Sequence, residues 1–335
     1  MKKRICVLWV LIFLLAASFS VSARPIEIRL GSVAPDNSIY SDLLPDLAAE
    51  WEEISDGQVE LKVYFSGFKD DSDVIRKMRI NQLQAGVVSG FGLQDLYPNV
   101  LALSIPSLIQ NDAELKYVLE KIRPEVQEEL NRKRFELLSW SRAGWIYFFT
   151  RDPVVYPGDL EGQKIASLGT GAAAEMLNAF KHIGFHPVPV SVNETLPSLV
   201  SGMADAVYAT PIAVAAGQWF GVTTHMMNMR VSPFVGGFVF SRRAWQRIPD
   251  DLRPRLKEAV QRVSEELDKE LAALEDEAIS EMKKRGLEIH DVPSEARELW
   301  SRRFKKAVEW ASGNIYDEEF VKMVEGHLED YRQSQ

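Results

Sequence analysis

Between Asp251 and Arg285, apolar residues return at Leu252, Leu256, Val260, Val263, Leu267, Leu271, Leu274, Ala278 and Met282, always three or four positions apart. That spacing predicts one unbroken amphipathic helix over residues 251–285. Asp250 or Asp251 can cap its start, Pro254 falls in the first turn, and Gly286 follows the last. At 1.5 Å per residue, roughly 35 residues reach about 50 Å, whereas a small domain is about 30 Å across. Such a helix must lie along two domains or leave the body. A coiled coil is the alternative, but Arg262, Lys269, Lys283 and many acids suit one solvated face. The spanning helix is the reading adopted.

The rest of the chain agrees with two domains. Met1 to Ala23 reads as an export signal. Lys2, Lys3 and Arg4 are its basic start, residues 5–17 its apolar run, and Val21, Ser22 and Ala23 a small-residue cleavage site. A retained N-terminal anchor is the competing reading, although the run is short for a membrane span. The roughly 310 residues that follow exceed the usual size of a single core. No Gly/Ser/Pro linker divides them, so the chain is expected to cross between domains more than once. Cys6 is the only cysteine and lies in the signal, so the mature chain is expected to have no disulfide and no cysteine nucleophile or metal ligand. The formal charge of −9 becomes more negative once Lys2, Lys3 and Arg4 are removed. This argues against nucleic acid or an anionic membrane surface as a partner.

Strand and helix patterns alternate from residue 26 onward. Residues 26–30, 58–65 and 85–88 alternate or run apolar as strands, with helical patterns at 43–54 and 71–81 between them. This order argues for an α/β domain with a largely parallel sheet, whose ligands bind beyond the carboxyl ends of the strands. Candidate pocket loops are then 35–40, which includes Tyr40, and 89–93, which includes Phe91. A second α/β unit follows Gly144, with strands at 163–167, 186–190 and 204–208, and residues 235–240 read as a strand returning to the first. The expected division is 24–143 plus 235–250 as one domain and 144–234 as the other. The spanning helix occupies 251–285. Residues 286–335 are read as C-terminal helices, docked through Trp300, Phe304 and Val308.

The segment from Asp159 to Pro211 adds a resemblance. Asp159, Leu160, Gly162, Lys164, Ile165, Gly184, Pro187, Pro189, Gly202, Asp205 and Pro211 stand in the order and spacing of TRAP-transporter solute-binding subunits, the DctP-like family. The similarity extends over nearly the whole mature chain. It implies a two-domain periplasmic-binding-protein-like α/β fold with crossing strands and one long helix. It also implies a periplasmic protein that carries a small solute to TRAP membrane permease subunits. Some relatives work with a separate TPR-repeat helper.

In that family an arginine after the Lys-Ile pair holds the carboxylate of organic-acid ligands, a match for the guanidinium fork. Here the position is Ala166, and by the same comparison Ile146 stands for a second arginine and Ala209 for an asparagine, with Tyr208 for an acid. A carboxylate enclosed without partners would cost several kcal/mol. Trp145, Tyr147, Phe91, Trp219 and Phe234 fall in or near pocket segments and would line an apolar cleft. A hydrophobic or amphiphilic solute is therefore expected, and the alternative is an interaction or sensor protein whose cleft is empty and packed by these aromatics. Arg142, Arg151 and Arg230 are candidates to restore a charge.

A nucleotide-dependent enzyme is the remaining class. Gly169, Gly171 and Ala174 fit a G-x-G-x-x-A turn, with Glu194 about 20 residues on. The family resemblance accounts for the same turn and helix without a cofactor. His182 and His186 have helical metal spacing, but Gly184 and Pro187 break the helix between and after them. No nucleophile elbow, H-E-x-x-H or P-loop occurs. The chain is thus read as a binding protein, without enzyme activity, cofactor or metal.

Overall fold

The computed structural model describes residues 24–34, 38–168 and 173–335. The expected signal with Cys6, part of the loop before Tyr40, and Gly169 to Ala172 of the glycine turn lie outside the described residues. No helix among those described is long and apolar enough to cross a membrane.

Parallel strands β1 (Ile26–Ser32), β2 (Val59–Tyr64) and β3 (Ala85–Ser89) alternate with helices α1 (Ile39–Ile54) and α2 (Asp71–Arg79), much as the hydrophobic pattern predicts. The short helix α3 (Gly90–Leu93) and a 3-10 segment (Pro98–Ser104) lead into α4 (Asp112–Arg132). Strand β4 (Phe135–Thr150) follows. Farther along come α5 (Pro157–Glu161), β5 (Lys164–Leu168), α6 (Ala173–His182), β6 (His186–Val190), α7 (Val192–Val200) and β7 (Ala206–Ala209). Then come α8 (Pro211–Ala216), β8 (His225–Asn228), β9 (Ser232–Ser241) and α9 (Arg242–Trp245). The chain closes with α10 (Arg253–Lys284), β10 (Glu288–Asp291), α11 (Ser294–Ala311) and α12 (Glu318–Gln333).

The sheet runs β2-β1-β3-β9-β4-β7-β5-β6, with β8 paired to β4 and β10 to β8. Strand β9, expected at 235–240, is longer and lies antiparallel to β3. Strand β4 is the element whose full length the pattern conceals. Its 16 residues span roughly 50 Å at about 3.3 Å each. Its first part pairs with β9 and its last with β7 and β8. Register shifts between Leu137 and Ser139 and between Arg142 and Trp145 break its alternation. Gly144 sits in the second shift at φ +95°, where a Cβ would meet the Glu275 carboxylate. The boundary expected at 143/144 therefore falls inside a continuous strand.

Helix α10 has 32 residues and spans about 48 Å. Its Leu256, Val260 and Leu267 pack in one core with Trp51, Leu44 and Phe240, and Trp51 Nε1 donates to the Leu256 carbonyl at 3.2 Å. Near its other end, Met282 belongs to a second core with Val207 and Trp300. Each fully buried leucine contributes roughly 1.5–3 kcal/mol. Neither Asp250 nor Asp251 caps α10: Leu252 holds the cap position without a side-chain bond, and Asp250 pairs with Arg253 instead. Residues 286–335 contain strand β10 as well as the two expected helices. Trp300 and Phe304 are buried as their spacing predicts, while Val308 is half-buried. Trp300 Nε1 donates to the Val155 carbonyl at 2.8 Å. Helix α12 is tied to α4 by Arg332, whose Nε and one terminal nitrogen reach the buried Glu114 carboxylate at 2.9 Å.

Candidate ligand-binding cavity

Parallel strands β5 and β7 pair Ser167 with Tyr208, and antiparallel β4 and β9 pair Ile146 with Ser232. Paired residues share a face of the sheet, so these four side chains point into the same space. Phe180 from α6 closes one side, with its ring 5.4 Å from that of Tyr208. Phe91 and Phe234 close another, their centroids 5.9 Å apart. Leu101, Ser104 and Pro106 complete the wall from the 3-10 segment and its exit, with Ala209, Thr210 and Ala213 at the end of β7 and the start of α8. The cavity measures about 120 Å3.

Its polar groups are few and uncharged. Tyr208 Oη and Ser232 Oγ are 2.6 Å apart, and burial pushes the Tyr208 phenol well above its ordinary range. Thr210 Oγ1 accepts from the Ala213 N–H at 3.4 Å, as the cap of α8. Ser104 Oγ reaches the Pro233 carbonyl at 3.5 Å. Among the described residues lining the cavity, none is an arginine, lysine, histidine or acid.

Of the residues predicted to contact ligand, Phe91, Ile146, Tyr208, Ala209 and Phe234 line this space. Tyr40, Trp145, Tyr147, Ala166 and Trp219 do not. Strand alternation accounts for most of the separation. Trp145 and Tyr147 flank Ile146 and take the other face of β4, while Ala166 precedes Ser167 and is fully buried on the other face of β5. Tyr40 Oη donates to the Arg142 carbonyl at 2.9 Å. Trp219 is buried in a 3-10 turn, its indole packed against Gly217. Ser167 was hidden beside the more conspicuous Ala166. Phe180, Ser232 and the wall formed by Leu101, Ser104 and Pro106 carried no signal of their own, because they reach the cavity through tertiary packing.

Trp145 and Tyr147 belong to a polar cluster around the β4 register shift. The Trp145 backbone N–H donates to Glu275 Oε1 at 2.7 Å and its indole to Asp112 Oδ1 at 3.1 Å. Arg230 lies over the Trp145 ring at 5.0 Å and pairs with Asp112 at 3.0 Å. Arg142 is held by Asp112 and by Asp268, 3.0 Å from its Nε. Burial opposes ionisation of Asp112, but the Trp145 indole, Arg142 and Arg230 together hold its carboxyl below the usual range. Burial dominates at Glu275 and raises it to about 7 despite the Trp145 N–H. Arg151 donates to the Leu199 carbonyl at 2.6 Å. The three arginines considered as replacement cations are thus engaged elsewhere, and none lines the cavity.

Of the nucleotide motif, Gly169 and Gly171 lie outside the described residues. Glu194 is bound locally, accepting the Ser191 N–H at 3.1 Å and hydroxyl at 2.7 Å in a capping box at the start of α7. The His182 ring stacks on Trp310 at 5.8 Å.

Residues 30–314 match the family model for bacterial extracellular solute-binding protein, family 7, DctP. A "solute-binding protein" of Chromohalobacter salexigens is 23% identical over 292 residues, 83% of either chain. Solved structures with the same fold include a TRAP periplasmic solute binding protein from Ochrobactrum anthropi, whose C-terminus is bound in its ligand-binding pocket. It has TM-score 0.84 and 18% identity, covering 93% of this chain and 97% of that one. One from Xanthobacter autotrophicus holds β-D-galacturonate (TM-score 0.77, 16% identity, 90% and 99% coverage). Another, from Sulfurospirillum deleyianum, holds succinate (TM-score 0.75, 19% identity, 89% and 97% coverage).

Proposed function

Because this chain belongs to the DctP family of bacterial extracellular solute-binding proteins, we infer that it acts in the periplasm as the solute-binding subunit of a TRAP-type transporter, and that its solute is uncharged and largely apolar. Two lobes, joined where β4 and β9 cross, close over the solute and present it to the membrane permease subunits. Ligand stabilises the closed arrangement by contacting both lobes at once. A TPR-repeat helper fits the same scheme by analogy with relatives.

The observation that carries the solute class is the cavity wall, in which phenylalanine, tyrosine and aliphatic side chains dominate and no described residue is charged. The galacturonate and succinate bound by structural neighbours are acids. A carboxylate enclosed here would face loss of hydration worth several kcal/mol without a cation in return. An apolar ring instead gains about 25 cal/mol for each Å2 removed from water. A cavity of about 120 Å3 is slightly smaller than the roughly 150 Å3 that admits benzene in another protein. It therefore suits one compact ring or a short branched chain. The Tyr208–Ser232 hydroxyl pair can meet a single polar end, which makes a small amphiphile the best fit.

Thermal-shift measurements with matched pairs test the solute class, each pair being a small carboxylic acid and its neutral alcohol or amide. Neutral members should raise the melting temperature in a concentration-dependent way while acids leave it unchanged. Stabilisation by the acids alone would refute the assignment.

A further inference from the structure

Strands β8 and β10 bring together three metal-ligating side chains that the solute cavity does not use. Glu288 and His290 are two apart on β10, and His225 is the cross-strand partner of Glu288 on β8. Residues at i and i+2 share a face of a strand, as do directly paired residues. All three side chains therefore stand on one side of the ribbon. His225 Nδ1 lies 2.9 Å from His290 Nε2 and 3.6 Å from Glu288 Oε2, and the three donor atoms fall within 4.8 Å of one another.

We propose that His225, Glu288 and His290 form a binding site for a divalent transition-metal cation of the zinc class, with water as fourth ligand. Tetrahedral zinc with bonds of about 2.0–2.2 Å keeps its ligand atoms roughly 3.3–3.6 Å apart. The two measured separations bracket that edge. In the metal-free arrangement the imidazoles share one proton in an N–H···N bond. A cation takes the place of that proton, and the rings part by a few tenths of an ångström. Two imidazoles with one carboxylate oxygen favour zinc, copper or nickel over calcium or magnesium, which prefer oxygen ligands.

The surroundings suit a built site with an entrance. The His225 side chain is 15% exposed and that of Glu288 69%. His225 is fixed by the pairing of β8 with β4, opposite Thr150, while the Glu288 carboxylate reaches it from the solvent side at 3.6 Å. Among the described strands β10 pairs with β8 alone, and it follows the spanning helix after one turn. A bound cation would staple this edge strand, and the end of α10 with it, to the strand beside β4. The separation of 65 positions between the two histidines leaves no motif in the sequence.

The test uses the untagged full chain, stripped with chelator and titrated with zinc chloride at pH 7.5 by isothermal calorimetry. One site per chain is expected, with a zinc-dependent rise in melting temperature. Glu288→Gln and His290→Ala should each weaken binding by about tenfold or more. Cobalt(II) in place of zinc should give the intense visible bands of a tetrahedral site, lost in His290→Ala. Zinc affinity no tighter than about 1 mM, or affinity unchanged in both variants, would overturn the proposal. Glu288 is exposed, so Glu288→Gln leaves the fold intact. Zinc-free melting curves of each variant separate a lost site from a lost fold.

Discussion

Phe234 and Phe91 face each other across one side of the cavity, half-buried and in ring contact. Each retains apolar surface for a solute to cover. Removing one ring forfeits roughly 1.5–3 kcal/mol of burial. Phe234→Ala is expected to weaken a neutral solute by about tenfold or more, measured by calorimetry, while the protein stays folded. Ala166 behaves differently. It is fully buried between Val188 and Val207, so Ala166→Arg buries an unpartnered cation. That variant should lose about 3 kcal/mol or more of stability in a urea titration, whatever the ligand. The contrast shows what a residue-by-residue reading of the sequence could reach. Position in the family resemblance marks Ile146 and Tyr208 as wall material, and aromatic character near pocket segments marks Phe91 and Phe234. The face on which each stands depends on strand parity, which the breaks around Gly144 obscure, and so Trp145 and Tyr147 were grouped with Ile146 although they point the other way.

Among elements, α10 was the most legible, because a three-or-four spacing held over 32 residues outweighs local exceptions. Strand β4 was the least. Its glycine and two register shifts disguise one 16-residue strand as a short aromatic run. These elements meet where Gly144 and Trp145 abut Glu275, and the contact has measurable consequences. Gly144→Ala would place a methyl group on the Glu275 carboxylate at an unfavourable φ, and a loss of about 2–4 kcal/mol is expected in denaturant titrations. Burial raises Glu275 from 4.5 to about 7. The folded state therefore holds that proton more tightly than the unfolded chain does. The stability this contributes is complete below pH 4.5 and is lost as pH rises to about 7. Glu275→Gln keeps an acceptor for the Trp145 N–H but carries no charge. It should raise stability at pH 8 by about 1–3 kcal/mol and flatten the melting profile between pH 4.5 and 7.

For the whole molecule, β4, β9 and α10 are the routes by which one part constrains the other. Helix α10 contributes to both hydrophobic cores, while the strands pass from one set of pairings to the next. The lobe closure proposed above would bend this frame near the β4 shift. X-ray scattering should show a smaller radius of gyration on addition of a neutral solute, and no change on addition of an organic acid. The proposed solute site has no charged side chain among its described lining residues. Native mass spectrometry of the protein purified without denaturation from its native cells, followed by identification of the released compound, examines this most directly. One equivalent of a compact neutral molecule per chain is the expected result. One equivalent of an organic anion would contradict it.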